Sequence, residues 1–161
     1  MQYYQTTSRK ISGSNFNELR KKAERVFNEI KSRTKRKPYI RSAYFDKSKI
    51  FLDYFWEHFY SKNLGDRRRR IVFYIAALEL IQNSHFVPQS KESPNNKNVI
   101  FHRFTGKTKD GYGFIIQIKE DKRSGQKYLI PYSQNYKEMK KASANVWCIN
   151  HGAEDLFTRL L

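Results

Sequence analysis

Val99-Ile-Phe-His102-Arg-Phe-Thr-Gly106, Phe114-Ile-Ile-Gln-Ile-Lys119-Glu-Asp121 and Lys127-Tyr-Leu-Ile130 decide the reading of this chain. Each is short, rich in β-branched and aromatic residues, and bounded by turn formers, which is the pattern of strands. Alternation puts Ile100, His102 and Phe104 on one face of the first and Val99, Phe101 and Arg103 on the other. In the second, Phe114, Ile116 and Ile118 oppose Ile115, Gln117 and Lys119. Asp110-Gly111 and Ser124-Gly125 supply the turns that make these segments consecutive hairpins. Three antiparallel strands are expected.

Upstream of them, Gln89-Ser-Lys-Glu-Ser-Pro-Asn-Asn-Lys-Asn98 has no core-forming side chain and reads as a polar loop. Further upstream the apolar period changes to that of helices. Phe16, Leu19, Ala23, Val26, Phe27 and Ile30 predict a helix over 15–32, with Asn15 and Glu18 as its capping pair. Ile50, Phe51, Tyr54, Phe55 and Phe59 predict a second, capped by Asp46 and closed by Gly65. Ile71, Tyr74, Ile75, Leu78 and Ile81 predict a third over 66–83, packed on the second. The fold class expected is α+β, with N-terminal helices packed on a small antiparallel sheet. It divides into a basic helical arm at 1–38, an α+β core at 39–130 and a divergent tail at 131–161, within one globular domain.

Thirty-two Lys and Arg stand against fifteen Asp and Glu, a formal charge of +17 over 161 residues. Residues 1–45 alone hold twelve Lys or Arg and three Glu. Such an excess selects a polyanion as partner, nucleic acid or an anionic membrane surface. A content of 39% hydrophobic and 16% aromatic residues argues against wholesale disorder. No apolar run approaches the roughly 20 residues of a membrane span, and the polar start lacks the apolar core of a signal peptide. A cytoplasmic location and no membrane partner are therefore expected. Cys148 is the only cysteine, and no histidine pair has helical zinc spacing, so no metal or other cofactor is expected.

The residue types suit RNA chemistry. Metal-independent cleavage needs a group that takes the 2′-hydroxyl proton, a donor for the leaving oxygen, and cations for the charged transition state. His102 fits the proton-transfer role, and Arg103, Lys107, Lys109 and Lys119 fit the cationic one. A role for Glu120 is weaker. Lys35, Arg36 and Lys37 before Pro38, and Arg67, Arg68 and Arg70 in the arginine run, are candidates for phosphate contact. Each has a bland counterpart: a strand histidine is more often structural, and a charge run is commonly a solvated face. Four cations in the first turn of a helix oppose its dipole, and Asp53, Glu57 and Asp66 are expected to offset them internally. His58 inside the aromatic helix and His85 at a helix end read as packing or capping residues.

Arg41-Ser-Ala-Tyr-Phe-Asp46, Ile50-Phe-Leu-Asp-Tyr-Phe-Trp56, His102-Arg-Phe-Thr-Gly106, Gln117-Ile-Lys119-Glu-Asp121 and Gly125-Gln-Lys-Tyr128 together resemble the phage and mobile-element nucleases grouped with barnase, EndoU, the ribonuclease colicins and RelE. The resemblance covers residues 39–130. It implies an RNase-like fold, a toxin-like or mobile-element endoribonuclease, and His102 as catalytic residue with Lys119 and Arg103 facing phosphate. It also implies RNA as substrate, tRNA or ribosome-bound mRNA, and an acidic antitoxin or immunity protein as partner. After Ile130 the likeness ends: the family pattern continues Ile-Ser-Val-Phe-Pro, whereas this chain has Ile130-Pro-Tyr-Ser-Gln-Asn135. A frameshift after Ile130 would convert the first reading into the second. Residues 131–161 thus read as an out-of-frame tail that would inactivate the enzyme, against an ordinary C-terminus packing Leu156, Phe157, Leu160 and Leu161 as a short helix. The alternative from another class is a non-catalytic basic nucleic-acid-binding protein.

Overall fold

The computed structural model describes residues 2–131. Its elements, in chain order, are β1 (Tyr4–Gln5), α1 (Phe16–Ser32), β2 (Tyr39–Arg41), β3 (Lys49–Phe51), α2 (Asp53–Phe59), α3 (Leu64–Ile71) and α4 (Tyr74–Asn83). They continue with β4 (Gln89–Glu92), β5 (Val99–Lys107), β6 (Gly113–Asp121) and β7 (Lys127–Ile130). The class is α+β, but the expected small antiparallel sheet is corrected to a curled, mixed sheet of seven strands. Its order is β1-β5-β6-β7-β3-β2, with β4 also paired to β5.

The central hairpins follow the alternation. His102 lies opposite Ile118, Arg103 opposite Gln117 and Phe101 opposite Lys119. Gly111 and Gly125 adopt φ of 88° and 68° in the two turns, where a side chain would be strained. Two parallel pairings were not foreseen. β1 runs parallel to β5 and β3 parallel to β7. Long-range partners create both, and a two- or three-residue strand carries too little period to announce itself. β4 arises likewise from the presumed loop, pairing antiparallel with β5 from Gln89 opposite Arg103 to Glu92 opposite Ile100.

The helix expected from Asp46 is corrected too. Asp46 and Lys47 take φ of 46° and 61°, in a left-handed turn. Ile50 and Phe51 belong to β3, and only Asp53–Phe59 is helical. The helix expected over 66–83 breaks at Val72 and Phe73 into α3 and α4. Because α3 starts at Leu64, capped by Asn63 through a 2.9 Å bond from the Asp66 amide, Arg68, Arg69 and Arg70 fall in its last turn. There the dipole favours cations, reversing the expected conflict. Asp66 pairs with Arg69 at 2.6 Å, and Asp53 with Lys37 at 3.7 Å. The α1 expectation matches the observed element. Asn15 Oδ1 accepts from the Glu18 amide at 3.0 Å, and Glu18 in return accepts from the Ser14 amide at 2.9 Å.

One face of the sheet carries the core. Ile40, Ile50, Leu129, Ile118, Ile116, Phe114 and Phe104 are buried on it beneath Leu19 and Ala23 of α1, Phe55 and Phe59 of α2, and Leu80 and Ile81 of α4. Trp56 Nε1 donates to the Tyr74 hydroxyl at 3.2 Å, joining α2 to α4 as their aromatic stripes imply. Gly106 marks the closest approach: a Cβ there would lie 2.4 Å from the Phe114 ring and 2.7 Å from Leu80. The start of the chain is tied down by Glu79 of α4. Its carboxylate accepts from the Thr7 amide at 2.6 Å and the Ser8 amide at 2.9 Å, and from both hydroxyls.

Among the described residues, no helix is long and apolar enough to cross a membrane. The tail expectation, including the short helix at Leu156–Leu161, lies outside the described residues except for Pro131. That proline is buried, and its carbonyl accepts from Arg70 Nη1.

Candidate nucleic-acid interface

The two faces of one sheet separate the residues that sequence grouped together. His102 points to the inner, core-bearing face, as its register opposite Ile118 requires. It is 7% exposed. Its Nδ1 lies 2.7 Å from Ser90 Oγ, and its Nε2 lies 2.7 Å from Glu120 Oε2. A carboxylate can only accept, so Nε2 donates to Glu120, while Nδ1 and the Ser90 hydroxyl share the second hydrogen bond. Glu120 Oε1 is in turn 3.3 Å from Lys127 Nζ. The loop between β2 and β3 covers this row. The Phe45 ring sits 5.0 Å from the His102 ring, and Lys127 Nζ sits 5.0 Å from the Phe45 centroid.

Ser90, His102, Glu120 and Lys127 therefore form a polar chain across β4, β5, β6 and β7. A hydroxyl, an imidazole and a carboxylate in series can activate a nucleophile. Here Lys127 already neutralises the carboxylate, and both ring nitrogens are engaged. The chain satisfies its own hydrogen bonds at the rim of the core, the condition on which buried polar groups are tolerated. Both ring nitrogens of His102 thus have partners within the fold.

Arg103 and Lys119 are on the opposite, outer face, so the structure brings these two together and leaves His102 apart. Pairing defines a row across that face. Phe101 on β5 opposes Lys119 on β6, which opposes Tyr128 on β7, which pairs with Phe51 on β3, which opposes Tyr39 on β2. All five side chains are half-buried. Tyr39 and Phe51 have ring centroids 6.3 Å apart, and Phe51 and Tyr128 5.7 Å. Tyr54 on α2 adds a ring 5.7 Å from Tyr128. The exposed His58, one turn later, stacks 4.0 Å from Tyr54.

Cations flank these rings. Lys119 Nζ stands 5.2 Å from the Tyr54 centroid, Lys49 Nζ 4.7 Å from Tyr39, and the Arg41 guanidinium 5.7 Å from Tyr39. Arg103 Nε donates to Gln117 Oε1 at 3.1 Å in the next row. Rings offer stacking surfaces to bases and cations offer charge to phosphates, so the outer face carries both components of nucleic-acid recognition.

The remaining candidates scatter. Lys37 reaches Asp53 beside Tyr54, while Lys35 and Arg36 are exposed before β2. Lys107 lies at the far end of β5, 5.9 Å from the Tyr3 ring, and Lys109 is exposed in the following turn. Arg67 caps the end of α2, donating to the Lys62 carbonyl at 2.6 Å and to the Tyr60 carbonyl. Arg68 is exposed, and Arg70 holds Pro131. The sequence singles out none of Tyr39, Arg41, Lys49, Phe51, Tyr54, His58 or Tyr128 by number as a nucleic-acid contact, and reads Phe51, Tyr54 and His58 as helix-packing residues. Tyr39-Ile-Arg41 and Lys49-Ile-Phe51 each hold one inward isoleucine between two outward polar or aromatic residues, too short a pattern to serve as a sequence signal. Among the described residues, no group of three or more His, Cys, Asp or Glu could hold a metal ion. No family model matches the chain, and no curated protein or solved structure is similar to it.

Proposed function

We propose that this protein is a metal-independent endoribonuclease whose RNA lies on the outer face of the sheet, across Tyr39, Phe51, Tyr54 and Tyr128. One observation carries the reading: Lys119 shares that face with a continuous row of rings, in a chain of formal charge +17. Stacking holds unpaired bases, and the flanking cations neutralise phosphate and the charge that grows on it during transfer. RNA supplies its own nucleophile, the 2′-hydroxyl, so the reaction needs no cofactor. A toxin-like or mobile-element role in the cytoplasm follows, with an acidic antitoxin or immunity protein as a partner complementary in charge.

A second reading, binding without cleavage, is favoured by a specific observation: both nitrogens of His102 are engaged inside the fold. The two readings part in one assay. Labelled tRNA and single-stranded RNA are incubated with the full chain in EDTA, and both binding and cleavage are followed. The ribonuclease reading expects cleavage that falls with Lys119→Ala and binding that falls with Tyr128→Ala. Binding without cleavage would leave the binding module standing. No binding at physiological salt would overturn both.

A further inference from the structure

We infer that His58, not His102, is the residue that takes the 2′-hydroxyl proton; the inference rests on the ribonuclease reading. A proton acceptor for an external substrate needs an accessible nitrogen beside the cations that hold the phosphate. His102 fails on both counts, being buried, doubly hydrogen-bonded and on the face opposite Arg103 and Lys119. His85 is exposed two residues past α4, and among the described residues no ring contact joins it to the row. His58 meets the requirement. It is exposed on α2, and among the described residues neither of its ring nitrogens is hydrogen-bonded.

Geometry places it within the interface. Positions 54 and 58 are one helical turn apart and stack, and the Tyr54 ring lies 5.7 Å from the Tyr128 ring and 5.2 Å from Lys119 Nζ. A base stacked on Tyr128 or Tyr54 brings its ribose and 3′-phosphate alongside His58 and the Lys119 ammonium. Other charged groups nearby on α2 are Asp53, held by Lys37, and the exposed Glu57. In the reaction, an imidazole nitrogen of His58 takes the 2′-hydroxyl proton as the 2′-oxygen bonds to phosphorus. The bond from phosphorus to the 5′-oxygen breaks, and the proton returns through solvent to that departing oxygen. The products are a 2′,3′-cyclic phosphate and a 5′-hydroxyl end, with no oxidant, reductant or metal consumed.

The test uses the full chain in EDTA with single-stranded RNA, comparing wild type, His58→Ala and His58→Gln. Both variants change an exposed side chain, and circular dichroism checks that they fold. Cleavage is expected to fall by about 100-fold or more, with RNA affinity within about threefold of wild type, and free imidazole is expected to restore part of the loss in His58→Ala. Wild-type cleavage that persists in both variants would overturn the role of His58 and leave the ribonuclease reading intact. Binding without cleavage by the wild type would overturn both.

Discussion

The inner and outer faces of the same sheet use similar residues to opposite ends. On the inner face, Ser90, His102, Glu120 and Lys127 saturate one another beneath Phe45. On the outer face, His58, Lys119 and Lys49 lie against rings, and aromatic stacking leaves their hydrogens and imidazole nitrogens open to a ligand, while Arg41 also donates to the Lys47 carbonyl at 2.9 Å. The contrast teaches that a histidine's residue type says little until its partners are counted. A charged group that finds every partner inside the fold contributes stability, whereas one resting on a ring keeps its hydrogen-bonding capacity for something else.

This contrast predicts that inner-face changes act on stability and outer-face changes on binding. The largest effect is expected from His102→Ala, which leaves Glu120 and Ser90 short of a partner and a cavity beside Phe45. A loss of about 3 kcal/mol in urea unfolding is expected, with RNA affinity of the folded fraction unchanged. Unchanged stability with abolished binding would reverse the assignment of the two faces. Gly106→Ala forces a methyl group against Phe114 and Leu80 and is expected to cost about 2 kcal/mol, again without touching affinity.

On the outer face, Tyr128→Ala removes the ring shared by Phe51 and Tyr54. Weaker RNA binding by about 10-fold is expected in fluorescence anisotropy, consistent with the known worth of one base stack. Arg41→Ala is expected to cost only a few-fold, while lowering the salt dependence of log affinity by roughly one unit of slope, as loss of one phosphate contact requires.

The smallest effect is expected at the edge of both faces, where Glu79 holds Thr7 and Ser8. Burial pushes its pKa up, but the four hydrogen bonds outweigh that and hold it below the usual carboxylate value. A depressed folded-state pKa means the contribution is complete above the unfolded value and is lost as pH falls through the folded one. Amides of Gln5 to Ser8 should therefore exchange faster below about pH 4, with global unfolding little changed. Glu79→Gln should exchange equally fast at neutral pH, and pH-independent protection would contradict the anchoring role.

The parts of this division legible in the sequence were those with local causes. Alternation over nine residues placed β5 and β6 and told which side chains share a face, and Asn15 with Glu18 announced α1. The same alternation already separated His102 from Arg103. Hidden from it were the features made by distant partners. Tyr39-Ile-Arg41 and Lys49-Ile-Phe51 are too short to show a period, and Phe51 looked helical because Tyr54, Phe55 and Phe59 follow it at helical spacing. Misplacing β3 hid the ring row, because Phe51 and Tyr128 become neighbours only when β3 pairs with β7. With that row invisible, nothing in the sequence distinguishes the environment of His58 from that of a packing residue.

The most direct test of an outer-face interface is photocrosslinking of 4-thiouridine-labelled single-stranded RNA to the full chain, followed by mass spectrometry of the crosslinked peptides. Crosslinks are expected at Tyr39, Phe51, Tyr54 or Tyr128 and none in the segment of Ser90 and His102. Crosslinks confined to the basic segments at 35–37 and 67–70, with the ring row unlabelled, would contradict it.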